Sequence, residues 1–484
     1  MKIFFYAFTN IAFFFNEVIK ESLLKKEHVE WGLIFPKAVY KKSADKIVKK
    51  ENILYLYENF NKIYKKIDNF DFGFKVEENS IYKMIQSSKA NLTFMDSKKQ
   101  LKIAKATYVI YKNFLLKNRP DYIVFPLLET VDGFILINLC YELGIKPIYC
   151  FHTRVFGNQM FGTTVYQDLP VYYGGFEEKD VIKAKRFLDD FYKGNIAAFS
   201  TAKEWTNTDT VKIKKEKFFK RTIKSLFYRF IKGENKCLDN YFVSLQIKNN
   251  LSFFISKYRK MIYNSYHKNL FHIKTDQDIL PENFILYALQ KTPEASINTL
   301  EPYFVKQERV IDLLLLNMPS NFYLLVKEHY VMEGERQASF YKKMRVKPGV
   351  LLVDHSVSTD MLVKKAKLVC SVTGTIGLET YLADKPCLLF GKNFFNRLCY
   401  FFTDFSNFKT DLYKMIFEYK PHSLEEKIEE IAKIYNVSYS YTVNDPFFVP
   451  HVMEKENIKH FLQYIEEHIK RLETYKKEKK APNA

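Results

Sequence analysis

Between Phe284 and Phe390 the chain alternates short apolar runs with stretches whose apolar residues recur at helical spacing, and that alternation admits few folds. Phe284–Leu289, Phe322–Val326, Val350–Val353, Leu368–Ser371 and Cys387–Phe390 read as buried strands, with helices around Leu300–Leu316, Arg336–Met344, Thr359–Lys365 and Ile376–Ala383 between them. A strand reaches a parallel neighbour only through a crossover, so this order predicts a doubly wound α/β sheet.

The first half shows the same grammar more faintly. Lys2–Phe8 is an apolar run that continues at helical spacing through Leu24. Asn10 interrupts it and no small-residue cleavage site precedes Glu17 and Lys20, so it reads as a buried strand entering a helix and not as a leader. Tyr122–Pro126 and Pro147–Phe151 read as strands flanking a helix Phe134–Leu143, with Gly144 as its C-cap. Glu129, Asp132 and Glu142 break the longest remaining apolar stretch, so no membrane span is expected. A chain of 484 residues exceeds what one core serves. We expect a first domain over 1–278, a second over 279–440, and C-terminal amphipathic helices with a basic tail over 441–484.

Lys and Arg outnumber Asp and Glu by 75 − 55 = 20, a positive field that suits nucleic acid, anionic lipid or phosphorylated substrates. Aromatics make up 17% of the chain but fall within apolar strand and helix patterns, and no nucleic-acid module is visible, so nucleic acid ranks last as a partner. The six cysteines contain no CxxC pair and suit a reduced, cytoplasmic compartment. Within 201–278, placed as an insertion of the first domain, Lys212–Lys232 holds nine Lys or Arg around an apolar stripe of Phe219, Ile223, Leu226, Phe227 and Phe230. That pattern suits an anionic membrane surface, or else packing on its own domain.

The sharpest local signal is Ser371-Val-Thr-Gly-Thr-Ile-Gly-Leu-Glu379, which passes from a strand end into a helix start. There Gly374 would let the backbone approach a phosphate, Thr373 and Thr375 would offer hydroxyls, and Glu379 would accept from ribose hydroxyls; the plain alternative is a turn capping a helix. Lys327-Glu-His-Tyr330 ends another strand, where Lys327 and His329 would neutralise a leaving phosphate. Lys291-Thr-Pro-Glu-Ala-Ser296 reaches the same sheet edge with Glu294 and Ser296. Asp132 stands at a strand-to-helix junction, either as a base or as a helix N-cap, with Glu129 nearby. Asp276-Gln-Asp278 has the spacing of a divalent-ion pair but lies in a polar lead-in, and the histidines lack ligand spacing, so neither a metal nor a cofactor is expected.

From Phe284 to Phe395 the chain resembles the bacterial capsule polysaccharide biosynthesis proteins, which include transferases of the acidic sugar Kdo. The resemblance is carried in order by Leu289–Ser296, Val326–Tyr330, Val372–Glu379 and Lys385–Gly391, and more weakly by Asp121–Arg154. It implies two Rossmann-like domains of glycosyltransferase B-type facing a central cleft. It also implies a CMP-linked nucleotide-sugar donor, a lipid-linked or polymeric glycan acceptor, and a place on the inner face of the cell membrane. In the family a His-Pro pair contacts donor phosphate, where this chain has His329-Tyr330. An acidic pair before Gly supplies the general base in similar sialyltransferases; here only Asp132-Gly133 remains, with Val131 in the first place and Glu129 close in sequence. A nucleotide-sugar epimerase of similar two-domain shape is the competing enzyme class.

Overall fold

The computed structural model describes residues 1–8, 10–25, 28–36, 47–56, 58, 60–67, 85, 97–126, 128, 130–153, 158–164, 168–194, 266–292, 294–298, 300–333, 336–446 and 449–480. Glu129 and the Lys212–Lys232 segment lie outside them. Among the described residues the chain divides into two compact units, 1–194 with 428–480, and 266–427.

The first unit is built on a six-stranded sheet of order β3-β2-β1-β4-β5-β6, from β1 (Lys2–Tyr6), β2 (Glu30–Phe35), β3 (Ile53–Tyr55), β4 (Tyr122–Phe125), β5 (Lys146–His152) and β6 (Gln159–Gly162). All pairs are parallel except β5 with β6. Its helices are α1 (Ile11–Leu24), α2 (Phe60–Lys66), α3 (Ser97–Asn118), α4 (Val131–Leu143) and α5 (Glu178–Tyr192). Strand β1 is buried on both faces, which is why Lys2–Phe8 is apolar without alternation. Ile3 and Phe5 join the cluster that α1 completes, while Phe4 turns its ring to Phe114 of α3.

The second unit repeats the plan with order β12-β11-β10-β7-β8-β9, from β7 (Phe284–Ala288), β8 (Tyr323–Lys327), β9 (Val350–Val353), β10 (Leu368–Ser371), β11 (Cys387–Leu389) and β12 (Tyr400–Phe401), all parallel. The helices here are α6 (Ala295–Asn298), α7 (Glu308–Asn317), α8 (Ala338–Arg345), α9 (Thr359–Lys365), α10 (Ile376–Leu382) and α11 (Phe408–Phe417); α12 (Leu424–Asn436) and α13 (Lys455–Lys480) follow. Ile285 and Tyr287 face a core shared with α7, α8 and α11, while Phe284 and Leu286 face α9 and α10. The two doubly wound sheets expected from the sequence are therefore present.

Two boundaries differ from expectation. Residues 441–480 are not a separate appendage: Tyr441, Phe461, Leu462 and Ile465 complete the core of the first unit against Phe5, Phe14 and Phe15. Residues 266–278 belong with the second unit, because the amides of His272 and Ile273 bond the Leu352 carbonyl at 2.9 and 3.1 Å. Strands β2, β3, β6 and β12 are not among those expected from the sequence. Among the described residues no helix is long and apolar enough to cross a membrane.

Phe461 is the keystone of the C-terminal contribution, with ring centroids 5.2 Å from Phe14, 5.3 Å from Tyr441 and 6.2 Å from Phe161. Phe461→Ala is expected to lower unfolding free energy by about 3–5 kcal/mol, the cost of an aromatic-sized cavity. Urea denaturation checks it; a loss below about 1 kcal/mol would mean that α13 adds little to this core.

Candidate functional site

In each sheet the order reverses at one place, between β1 and β4 in the first and between β7 and β10 in the second. There the outgoing loops diverge to opposite faces and leave a crevice at the carboxyl edge. Both crevices are bridged by polar side chains.

In the second unit the bridge is Gln290. Its amide nitrogen donates to Thr373 Oγ1 at 3.0 Å and its amide oxygen accepts from Thr373 N at 2.9 Å, tying the loop after β7 to the loop after β10. Its own backbone is held by Gln307, which accepts from Gln290 N at 2.8 Å and donates to Gln290 O at 2.9 Å. Thr373 Oγ1 spends its proton on the Ser296 carbonyl at 2.6 Å. The expected phosphate-facing role of the Thr373 hydroxyl is thus replaced by a clamp between two loops, and Ser296 contributes its carbonyl to that clamp. On the far side, Phe390 N and Gly391 N bond Ser371 and Val372 carbonyls, so the loop after β10 is fixed from both flanks.

What this fixed loop presents is a row of donors. Thr375 is the N-cap of α10, with no side-chain cap bond. Among the described residues the amides of Gly374, Thr375 and Ile376 have no hydrogen-bond partner. The turn needs glycine for space and not for a positive φ, since a Cβ on Gly374 would stand 2.6 Å from Ser371 Oγ. Unpaired amides at a helix start are the groups that meet phosphate oxygens.

Strand β8, on the other side of β7, delivers His329. Its Nδ1 accepts from Val331 N at 3.2 Å, which leaves the proton of the neutral ring on Nε2, a donor with no partner among the described residues. Burial lowers the His329 pKa below the ordinary value, against the opposing charges of Glu294 and Glu328. His329 therefore offers a neutral hydrogen-bond donor instead of the cation expected from sequence. Its ring lies on Tyr330, with centroids 4.8 Å apart.

Beneath His329 lies a knot that the sequence did not advertise. Glu328 is buried and accepts from Arg336 Nε at 2.7 Å, Tyr341 OH at 2.7 Å and His329 N at 2.6 Å, while Arg336 also donates to Gln290 O at 2.9 Å. One ion pair thus joins the ends of β7 and β8 to α8. Glu328 follows β8 and Arg336 precedes α8, so no shared helix or strand marks the two as partners.

Lys327 departs from its expected role. It is buried, Nζ donates to the His355 carbonyl at 3.1 Å, and burial pushes its pKa down to about 8 against Asp354, Glu328 and Asp276. The ammonium left without an ion-pair partner among the described residues is Lys291, whose charge acts on His329. Glu294 acts on His329 and Tyr330 from the same loop. Asp276 and Asp278 are occupied by backbone: Asp276 accepts from Ser358 N at 2.7 Å, and Asp278 from Lys274 N at 2.6 Å. Among the described residues no group of three His, Cys, Asp or Glu could hold a metal ion.

In the first unit the bridge is Tyr6, at the end of β1. Its hydroxyl donates to Asp132 Oδ2 at 2.6 Å and lies 3.1 Å from Thr130 Oγ1. Thr130, not Asp132, occupies the N-cap of α4, so the capping alternative for Asp132 does not apply. Gly133 permits the close approach, since a Cβ there would stand 2.8 Å from Leu128 Cδ2 and 3.3 Å from the Tyr6 hydroxyl.

Residues 200–398 match the family described as capsule polysaccharide biosynthesis protein. The match spans less than half of the chain. It contains β7 to β11, the clamp and His329. No curated protein matches the chain. Among solved structures the chain is similar to the Thermosulfurimonas dismutans KpsC beta Kdo 2,4 transferase, at 10% identity over 71% of this chain and 87% of that one, TM-score 0.37. The KpsC beta Kdo 2,7 transferase matches at 10% identity over 72% and 90%, TM-score 0.34. The UDP-GlcNAc 2-epimerase from Methanocaldococcus jannaschii matches at 11% identity over 90% and 99%, TM-score 0.25.

The carboxyl of Glu379, one turn into α10, has no hydrogen-bond partner among the described residues, and burial, with a smaller push from Asp360, raises its pKa to about 7. A carboxyl whose folded-state value is raised contributes stability that is fully present below its unfolded value and is lost as pH rises through about 7. Glu379→Gln should therefore match the parent in thermal stability near pH 4 and exceed it near about pH 8. Equal melting temperatures at both pH values would mean that the Glu379 carboxyl is solvated.

Proposed function

We propose that the chain is a glycosyltransferase that moves Kdo or a similar acidic sugar from a CMP-linked donor to a lipid-linked or polymeric glycan during capsule biosynthesis. One observation carries the reading. Within the matched segment, loops from β10 and β8, the two strands that flank β7, bring the Gly374–Ile376 amides and His329 Nε2 to one sheet edge, all without partners among the described residues. Lys291 and Glu294 enter the same edge from the β7 loop between them.

In this reading the acceptor oxygen bonds the anomeric carbon as that carbon's bond to the phosphate oxygen breaks. The electron pair leaves with the nucleotide, where amides and the His329 Nε2–H meet the charge that develops. Lys291 supplies the positive charge, and Glu379 accepts from the ribose. The acceptor proton passes to Asp132, whose Oδ1 has no hydrogen-bond partner among the described residues.

A thermal-shift screen of CMP, UDP and GDP with their sugars tests the donor. CMP and CMP-Kdo are expected to stabilise the fold, and stabilisation by UDP-GlcNAc alone would favour the epimerase class. His329→Ala and Thr375→Ala are expected to slow release of CMP from CMP-Kdo by about 10²-fold or more. Asp132→Asn is expected to slow transfer by about 10²–10⁴-fold while keeping the CMP-Kdo thermal shift. Parent-like turnover in His329→Ala and Thr375→Ala would remove the phosphate assignment.

The acceptor and the location at the cytoplasmic membrane face rest on the basic, apolar-striped sequence Lys212–Lys232. Each basic side chain near an anionic surface adds about 1 kcal/mol. Replacing Lys220, Arg221 and Lys224 with Glu should release the protein from phosphatidylglycerol vesicles at moderate salt. Undiminished co-sedimentation would end the membrane proposal.

A further inference from the structure

Among the described residues Asp132 is held by neutral donors and by no cation. Tyr6, from the end of β1, donates to Oδ2 at 2.6 Å, and Tyr111, from the middle of α3, reaches the same oxygen at 3.5 Å. Both phenols are fully buried. Burial and then the Asp132 charge raise their pKa values far above the ordinary one, so each remains a protonated donor. Among the described residues no Lys or Arg pairs with Asp132. The nearest organised charges along α4 form a closed set at its other end, where Glu142 pairs with Lys112 at 2.5 Å and accepts from Tyr108 at 2.9 Å. Ten residues of helix separate Glu142 from Asp132, about 15 Å. From β5, Tyr149 accepts from Leu128 N at 3.3 Å.

A carboxylate on a flexible side chain presents either oxygen in many orientations. Two donors arriving from different elements at one oxygen remove that freedom and leave the other oxygen as the single basic edge. A cation in the same place would stabilise the carboxylate and lower its affinity for the proton that the base has to accept. We infer that Tyr6 and Tyr111 are positioning residues that hold Asp132 by Oδ2 so that Oδ1 faces the acceptor hydroxyl, an inference that rests on the base role assigned to Asp132 above.

The experiment uses the full chain with CMP-Kdo as donor and a capsule oligosaccharide as acceptor. Tyr6→Phe keeps the ring and removes the donor; kcat is expected to fall about tenfold or more with KM for CMP-Kdo unchanged. Tyr111→Phe, which loses the longer bond, should lower kcat by less. In an Asp132→Asn background, read by single-turnover CMP release, Tyr6→Phe should have no further effect, because the two residues act as one unit. A parent-like kcat in Tyr6→Phe, or the same fractional loss with and without Asp132, would overturn the positioning role. If Tyr6→Phe fails to fold, Tyr111→Phe is judged by the same two criteria. Parent-like turnover in Asp132→Asn would instead remove the base role, and the positioning role with it.

Discussion

Gln290 makes one hydrogen-bonded bridge across the place where the second sheet reverses its order, and most of what the carboxyl edge can do depends on that bridge. Two loops leaving adjacent parallel strands for opposite faces leave backbone groups with no ladder partner. A side-chain amide with a donor and an acceptor satisfies both sides at once. With Gln307 fixing its backbone and Arg336 donating to its carbonyl, Gln290 has little freedom of its own. The amides of Gly374–Ile376 are therefore presented by a rigid turn, and that rigidity favours electrostatic stabilisation of a developing anion because no reorganisation is needed when charge appears.

The Glu328–Arg336 pair extends the same rigidity to His329. A buried pair is weak evidence for stability as such, since its desolvation cost offsets much of its attraction. Its geometry matters more here. Glu328 grips the His329 amide while Val331 N fixes the ring nitrogen, so the backbone and the imidazole of His329 are both oriented. In the first unit Tyr6 does comparable work at the other reversal point, with a phenol joining β1 to the first turn of α4.

The positions of Asp132, His329, Thr375 and Glu379 could be read from sequence because each follows a strand whose apolar run announces it. Their states could not. Thr373 and Lys327 sit in the same motifs, yet the Thr373 hydroxyl is consumed by the Ser296 carbonyl and the Lys327 ammonium by the His355 carbonyl. Residue type and spacing specify which groups reach an edge, while partners brought from distant parts of the chain decide which groups remain available. Arg336, Gln290, Tyr6 and Tyr111 were missed for the same reason, since nothing local distinguishes a clamping side chain from a core or surface one.

The sequence by itself determined the α/β class, the strands of the second sheet from β7 to β11, the opening strand and helix, and the loops that carry polar groups. It could do so because these follow from periodicity and capping, which act within a few residues. Only the tertiary structure decided that 441–480 completes the first core, that 266–278 belongs with the second unit, and that Asp132 is held by two phenols. Those outcomes come from contacts across more than a hundred residues of chain in the case of Tyr6 with Asp132, and across more than four hundred in the case of Phe14 with Phe461. Such contacts are set by which apolar faces bury together and which buried polar atoms must find a partner, and neither condition leaves a local mark in the sequence.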